Sequence, residues 1–302
     1  MLTIVDFSIF GTYTFQIVAL GSFLLGISSG ISGTIAVLNK QGLLGDSIAH
    51  SSLAGIGIAF MVTNSKQTEV LLFGALVAGL LSVFLIHLVS NAKKTQVDSA
   101  MALMMAMFFG LGLICLSIIQ KSANSNQAGL TRFLFGQAAS ILQADILVML
   151  AVTCLLFVLT VLFWKQLKTY IFDKDFAYSL GFSLARLRLL VSFMIVTTVI
   201  IGIQLIGVVL MSSMMIAPAV AARQWTGSLA RMMTLASLIG GFVGLGGTYI
   251  SSSIDRIPTG PAIILIVSCV VIFSLVFAPK RGVFWRKQRK ASKTFRKGVD
   301  TL

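Results

Sequence analysis

The chain has 302 residues, of which 57% are hydrophobic and 11% charged, and its mean hydropathy is +0.98. Soluble domains carry about 25% charged residues, so this composition excludes a soluble globular protein and leaves a polytopic membrane protein. The net charge of +14 argues against a nucleic-acid surface because of where it lies: much of it falls between Lys165 and Arg188 and after Pro279, beside apolar runs, as cytoplasmic anchors do. A basic tail of this kind can also meet anionic lipid.

The N-terminal Met1-Leu-Thr-Ile-Val-Asp-Phe7 lacks the basic region and small-residue cleavage site of a secretory signal, so the first span is expected to be retained. About 20 apolar residues cross a bilayer as a helix. That length predicts spans over 13–38, 42–62, 69–90, 98–119, 142–164, 187–204, 206–222, 230–252 and 259–278. The expected class is all-α, with eight to nine transmembrane helices in a single domain over 1–302 and a basic cytoplasmic tail over 279–302. With the tail inside, the positive-inside rule also places 165–188, 223–231, Lys93-Lys94 and Lys40 inside. The segments 64–69, 122–127 and 252–258 then lie outside, with an external N-terminus.

Asp46 and His50 open the chemistry. Nine acids and two histidines serve the whole chain, and ionisable groups at membrane depth are expensive and mark pathways for ions or protons. Four residues at helical pitch put both side chains on one face, about 6 Å apart along the axis. Counting from Lys40 places Asp46 about 9 Å into its helix. The pair has three readings: it binds a divalent cation, relays a proton, or forms a buried hydrogen-bonded pair. Oxygen-plus-nitrogen ligation suits manganese, iron and zinc, and the lack of a cysteine beside it argues against copper(I) and against a structural zinc site. Two ligands do not close a shell, so a second chain or passing waters would complete it. Ser47 and Ser51 are weak further candidates on adjacent faces.

Further along, His87 reads as a satisfied interfacial histidine, and Asp98 can cap the start of the fourth span. Cys115, Cys154 and Cys269 stand singly in apolar spans, as small core or lipid-facing residues. The segment 131–142 is apolar but too short to cross, which suits either an interfacial or re-entrant helix or an extension of the next span. Inside, 172–183 has the punctuation of a short helix: Asp173 to cap it, Gly181 to end it in the left-handed conformation, and Ser183 to begin the next. It presents Phe176, Tyr178 and Leu180 as a docking knob or as an amphipathic connector. Gln204-Leu-Ile-Gly207 and Pro218 interrupt the late spans, as hinges, pathway walls or packing kinks. Met211, Met214 and Met215 read as core.

Leu38-Asn-Lys-Gln-Gly-Leu-Leu-Gly-Asp-Ser-Ile-Ala-His50 resembles the signature of the ABC-3 family, permease subunits of bacterial manganese, zinc and iron ABC importers. The resemblance extends to 206–222, to Pro258-Thr-Gly-Pro-Ala-Ile-Ile264 and to Ala278-Pro-Lys-Arg-Gly282, four ordered motifs that take in nearly the whole chain. One departure is Ala54, where many relatives have proline. The resemblance implies a fold like that of type II ABC importers, multi-pass in the bacterial cytoplasmic membrane. It implies that Asp46 and His50 are transient ligands of a transported Mn²⁺, Zn²⁺ or Fe²⁺, with no permanently bound cofactor. Asp173, Phe176, Tyr178, Leu180 and Gly181 would form the coupling helix, within the cytoplasmic loop 165–188. The implied partners are two copies of a cytoplasmic ABC ATPase, a second permease chain, identical or related, and an extracellular or periplasmic metal-binding protein. No Gly-x-x-x-x-Gly-Lys-Ser/Thr phosphate loop occurs in the 302 residues, so hydrolysis of ATP falls to that partner. Two other classes remain in play: a proton-coupled secondary metal transporter, and a membrane scaffold with a structural Asp-His pair.

Overall fold

A computed structural model describes residues 11–65, 67–93, 96–121, 136, 141–254 and 257–279. Among them the chain is all helical: α1 (Tyr13–Leu38), α2 (Gly42–Thr63), α3 (Thr68–Lys93), α4 (Val97–Lys121), α5 (Gln143–Leu162), α6 (Trp164–Phe172), α7 (Lys174–Ser179), α8 (Leu184–Ile206), α9 (Val208–Trp225), α10 (Leu229–Ser253) and α11 (Thr259–Phe277). Nine of these are long and apolar enough to cross a membrane, and only α6 and α7 are not. The segment proposed as a re-entrant helix and the basic tail fall almost wholly outside the described residues.

The helices sort into two groups. On one side α2 lies between α3 and α4; on the other α1 lies along α10, with α5 and α11 at the flanks; α8 and α9 join the two. Lipid tails are as apolar as leucine, so helices in a bilayer associate through close packing and interhelical hydrogen bonds more than through the hydrophobic effect. The α1–α10 seam shows this. Gly26 faces the Gly240 backbone and Gly30 faces Ser237 so closely that a Cβ at either glycine would collide with the opposite chain. Gly55 and Gly74 bring α2 and α3 together in the same way. Between the seams, buried hydroxyls pair across helices: Ser32 with Thr198 at 2.6 Å and Ser22 with Thr248 at 3.0 Å.

Helix ends follow local chemistry. The interruption at 204–207 narrows to a single residue: α8 runs through Ile206, Gly207 adopts φ +92°, and α9 starts at Val208. Pro218 sits buried inside α9, which continues past it. The span expected to run to 164 ends at Leu162, and the chain re-enters a helix at Trp164. Asp98 lies in the first turn of α4 instead of capping it, where its charge still meets the positive end of the helix. Cys154 and Cys269 are exposed on the surface of the chain, and Cys115 is half-buried.

Gly26→Val should force α1 away from α10 and cost about 3 kcal/mol or more, as overpacking against backbone does. Gly246→Ala, whose Cβ would meet only Ile266 at 3.5 Å, should be neutral or stabilise by about 0.5–1 kcal/mol. Thermal unfolding of the two purified variants in one detergent checks both.

Candidate metal site and cytoplasmic knob

α2 rises from a tight junction with α1 in which Lys40 takes φ +59° and the Gln41 N–H reaches back to the Ala36 carbonyl at 2.9 Å. Asp46 and His50 follow on one face of α2, with His50 Nε2 3.5 Å from Asp46 Oδ1. Among the described residues this is the one contact between an acidic side chain and a basic one or a histidine. Both side chains keep partial exposure, 29% for Asp46 and 18% for His50, so the pair lines an accessible surface of the chain instead of being sealed in its core. Two donors about 2.1 Å from one metal and 3.5 Å apart subtend about 110° there, a separation compatible with one shared ion.

Two residues from other helices complete the surroundings. Phe109 of α4 packs edge-on against the imidazole, with ring centroids 4.7 Å apart and planes at 76°. Ser212 of α9 stands beside the Asp46 carboxylate. It is brought there by Gly45, which leaves room for Met215, one turn along α9, to lie against α2. Sequence reasoning did not find either residue; the motif around 206–222 contains Ser212, but nothing in it says which helix Ser212 faces. The hydroxyls of Ser47 and Ser51, in contrast, turn away. Ser47 donates to the Met101 carbonyl, and Ser51 contacts the Ser47 carbonyl and Ser82.

The nitrogen of His50 that faces away from Asp46, Nδ1, is buried and has no hydrogen-bond partner among the described residues. Metal-ligating histidines usually donate that second N–H to an acceptor that fixes the ring and raises its basicity. Here the ring is held by packing on Phe109 and by the Asp46 contact at Nε2. Among the described residues no group of three or more His, Cys, Asp or Glu side chains gathers, so one chain offers half a coordination shell. His87 is satisfied elsewhere, 3.4 Å from the Ser192 hydroxyl, and Met211, Met214 and Met215 are wholly buried core.

Between α6 and α8 the expected capped helix is present. Asp173 Oδ1 accepts the Phe176 N–H at 2.9 Å, and Gly181, at φ +81°, donates to the Tyr178 carbonyl at 2.9 Å. The Ser183 hydroxyl accepts the Arg186 N–H at 3.5 Å to begin α8. Ala177 is fully buried and anchors α7, while Phe176, Tyr178 and Leu180 are 54%, 72% and 51% exposed. Large apolar side chains are thus held outward on a capped turn, a feature suited to a contact with another molecule.

Residues 12–278 match the ABC 3 transport family. The chain belongs to that family. It is 42% identical over 284 residues to the zinc transport system membrane protein TroC of Treponema pallidum, a match that takes in 93% of this chain and 95% of TroC. It is 41% identical over 268 residues to the manganese transport system membrane protein MntC of Bacillus subtilis, over 89% of this chain and 62% of MntC. Among solved structures it is similar to PsaBC from Streptococcus pneumoniae in complex with Fab, with a TM-score of 0.79 and 26% identity, covering 89% of this chain and 94% of that one. Membership in the ABC 3 transport family and nine apolar helices make it a multi-pass protein of the bacterial cytoplasmic membrane.

Loss of the cap at α7 should be measurable without reference to transport. Asp173→Ala should cost the turn about 1 kcal/mol, so the Phe176 amide should exchange with deuterium about fivefold faster by hydrogen-exchange mass spectrometry.

Proposed function

We propose that the chain is the permease subunit of an ATP-driven importer of a divalent transition metal. The observation that carries this reading is the Asp46–His50 pair, the one paired acid and base among the described residues, placed on a partly exposed face of a membrane helix with a spacing that fits one cation. Its incompleteness is suited to transport. A translocated ion must also leave, and two ligands hold it less firmly than a closed structural site.

A second permease chain, identical or closely related, brings a second pair to the same pathway and completes the shell. An external binding protein delivers the metal, and two cytoplasmic ATPases beneath the permeases drive the cycle. In this reading residues 1–302 act as one permease domain, and the loop 165–188 transmits the stroke. Closure of the ATPases presses on Phe176, Tyr178 and Leu180, and α7, held by its caps, passes the movement through α8 to the helices around Asp46. Access to the pair then alternates between the two sides. A proton-coupled exchange at the same residues is less well supported, because it leaves the outward-facing apolar knob without a role.

Manganese is our favoured cargo, since a mixed carboxylate and imidazole shell without thiolate suits it. Zinc is the second reading, supported by the name of the relative from T. pallidum and by its tighter binding to nitrogen ligands. Asp46→Asn and His50→Ala should each abolish metal accumulation while leaving the assembled protein intact by size-exclusion chromatography. A deletion strain grown without metal and supplied with manganese, zinc or iron singly identifies the cargo, and normal accumulation of all three in both variants would remove the pair from the mechanism.

Phe176→Asp and Leu180→Asp put a charge into an apolar contact, which costs several kcal/mol when desolvated. Each should release the ATPase on co-purification or cut transport at least tenfold, with α7 still formed by hydrogen exchange.

A further inference from the structure

A crevice of about 450 Å³ opens between α1, α5, α6 and α10. Its walls include Ile27, Ile31, Phe157, Trp164, Thr234 and Leu238. The hydroxyls that border it are already engaged with backbone: Thr160 donates to Leu156, Thr234 to Arg231 and Ser237 to Ile27, at 2.7, 3.1 and 3.2 Å. A buried water needs two to four polar partners, so such a crevice does not hold water. In the hydrocarbon layer an apolar cleft of this size is filled by an apolar chain.

One end of the crevice is charged. Trp164 opens α6 and Thr234 lies in the second turn of α10, both next to segments that the positive-inside rule puts in the cytoplasm. Lys168 lies four residues after Trp164, on the same face of α6. Arg231 stands three and seven residues before Thr234 and Leu238, on their face of α10. Lys165 adjoins Trp164. All three cations are exposed, and among the described residues none is paired with a carboxylate.

We propose that this crevice is a binding site for one anionic phospholipid of the cytoplasmic leaflet, its acyl chain between α1, α5 and α10 and its phosphate at Lys168 and Arg231, with Lys165 beside them. The inference rests on the membrane placement and not on the metal reading. α2 packs mainly on α3, α4, α8 and α9, touches α1 only lightly, and has no comparable contact with α5, α6 or α10. A second permease on the Asp46 face therefore leaves the crevice open to lipid. Because the site borders the break at Phe163 where α5 gives way to α6, and α6 leads into α7, the bound lipid braces the segment that carries the cytoplasmic knob.

The test is lipid retention by the full-length protein, purified with whatever partners accompany it and reconstituted in nanodiscs of equal phosphatidylcholine and phosphatidylglycerol. Native mass spectrometry should show one phosphatidylglycerol held per chain, preferred about twenty-five-fold, the product of about fivefold for each of two surface cations. K168Q/R231Q should lose the preference, K168R/R231K should keep it, and Ala230→Phe, which fills the crevice, should retain neither lipid. Equal retention of the two lipids by the native protein would overturn the proposal. So would undiminished phosphatidylglycerol in K168Q/R231Q or in Ala230→Phe, or loss of the preference in the charge-preserving K168R/R231K. Metal accumulation, measured on the same variants, is not the readout, so failure of the permease reading leaves this result interpretable.

Discussion

Close backbone approach at glycine is the contact on which the rest of this structure depends. A bilayer offers helices no gain from hiding leucine from water, so adhesion comes from short-range packing and from hydroxyls that find partners across the seam. The Gly26–Gly240 seam holds α1 to α10, Gly55–Gly74 holds α2 to α3, and the missing side chain at Gly45 lets Met215 settle against α2. The last of these has a chemical result. It determines which residue of α9 stands beside Asp46.

The Asp46–His50 pair makes sense as a site that was left unfinished within one chain. A carboxylate and an imidazole sealed in a core and satisfying each other would be structural. These two are 3.5 Å apart, partly open, and, among the described residues, without an acceptor on His50 Nδ1. The imidazole is kept in place by Phe109, whose edge gives packing and no basicity. In the proposed reading, ligands arranged this way would bind loosely, as passage requires, and would leave coordination positions for a partner chain.

α6 and α7 carry two different surfaces on one continuous stretch of chain. α6 presents cations beside an apolar crevice, and α7 presents aromatic and aliphatic side chains to water, pinned between the Asp173 cap and the left-handed Gly181. The first has the chemistry of a lipid contact, the second that of a protein contact. Their adjacency, with only Asp173 between α6 and α7, ties the position of the knob to the membrane interface.

Much of this was legible in the amino-acid order because the forces involved are local or nearly so. Hydrocarbon thickness determines span length, so the nine apolar runs were found to within a few residues, and the errors fall at ends set by single residues such as Gly207 and Phe163. Helical pitch put Asp46 and His50 on one face, and capping chemistry placed the short helix at Asp173 and Gly181, since both operate within four residues of chain. Sequence also singled out the acid and histidine, because ionisable residues are rare in an apolar chain and their types and spacing are read directly from the order of residues. What surrounds them was decided only by the fold. Phe109, Ser212 and the lipid-facing crevice arise where helices distant in the chain touch, and those contacts depend on which glycine meets which backbone. Spacing along one helix carries no record of that choice.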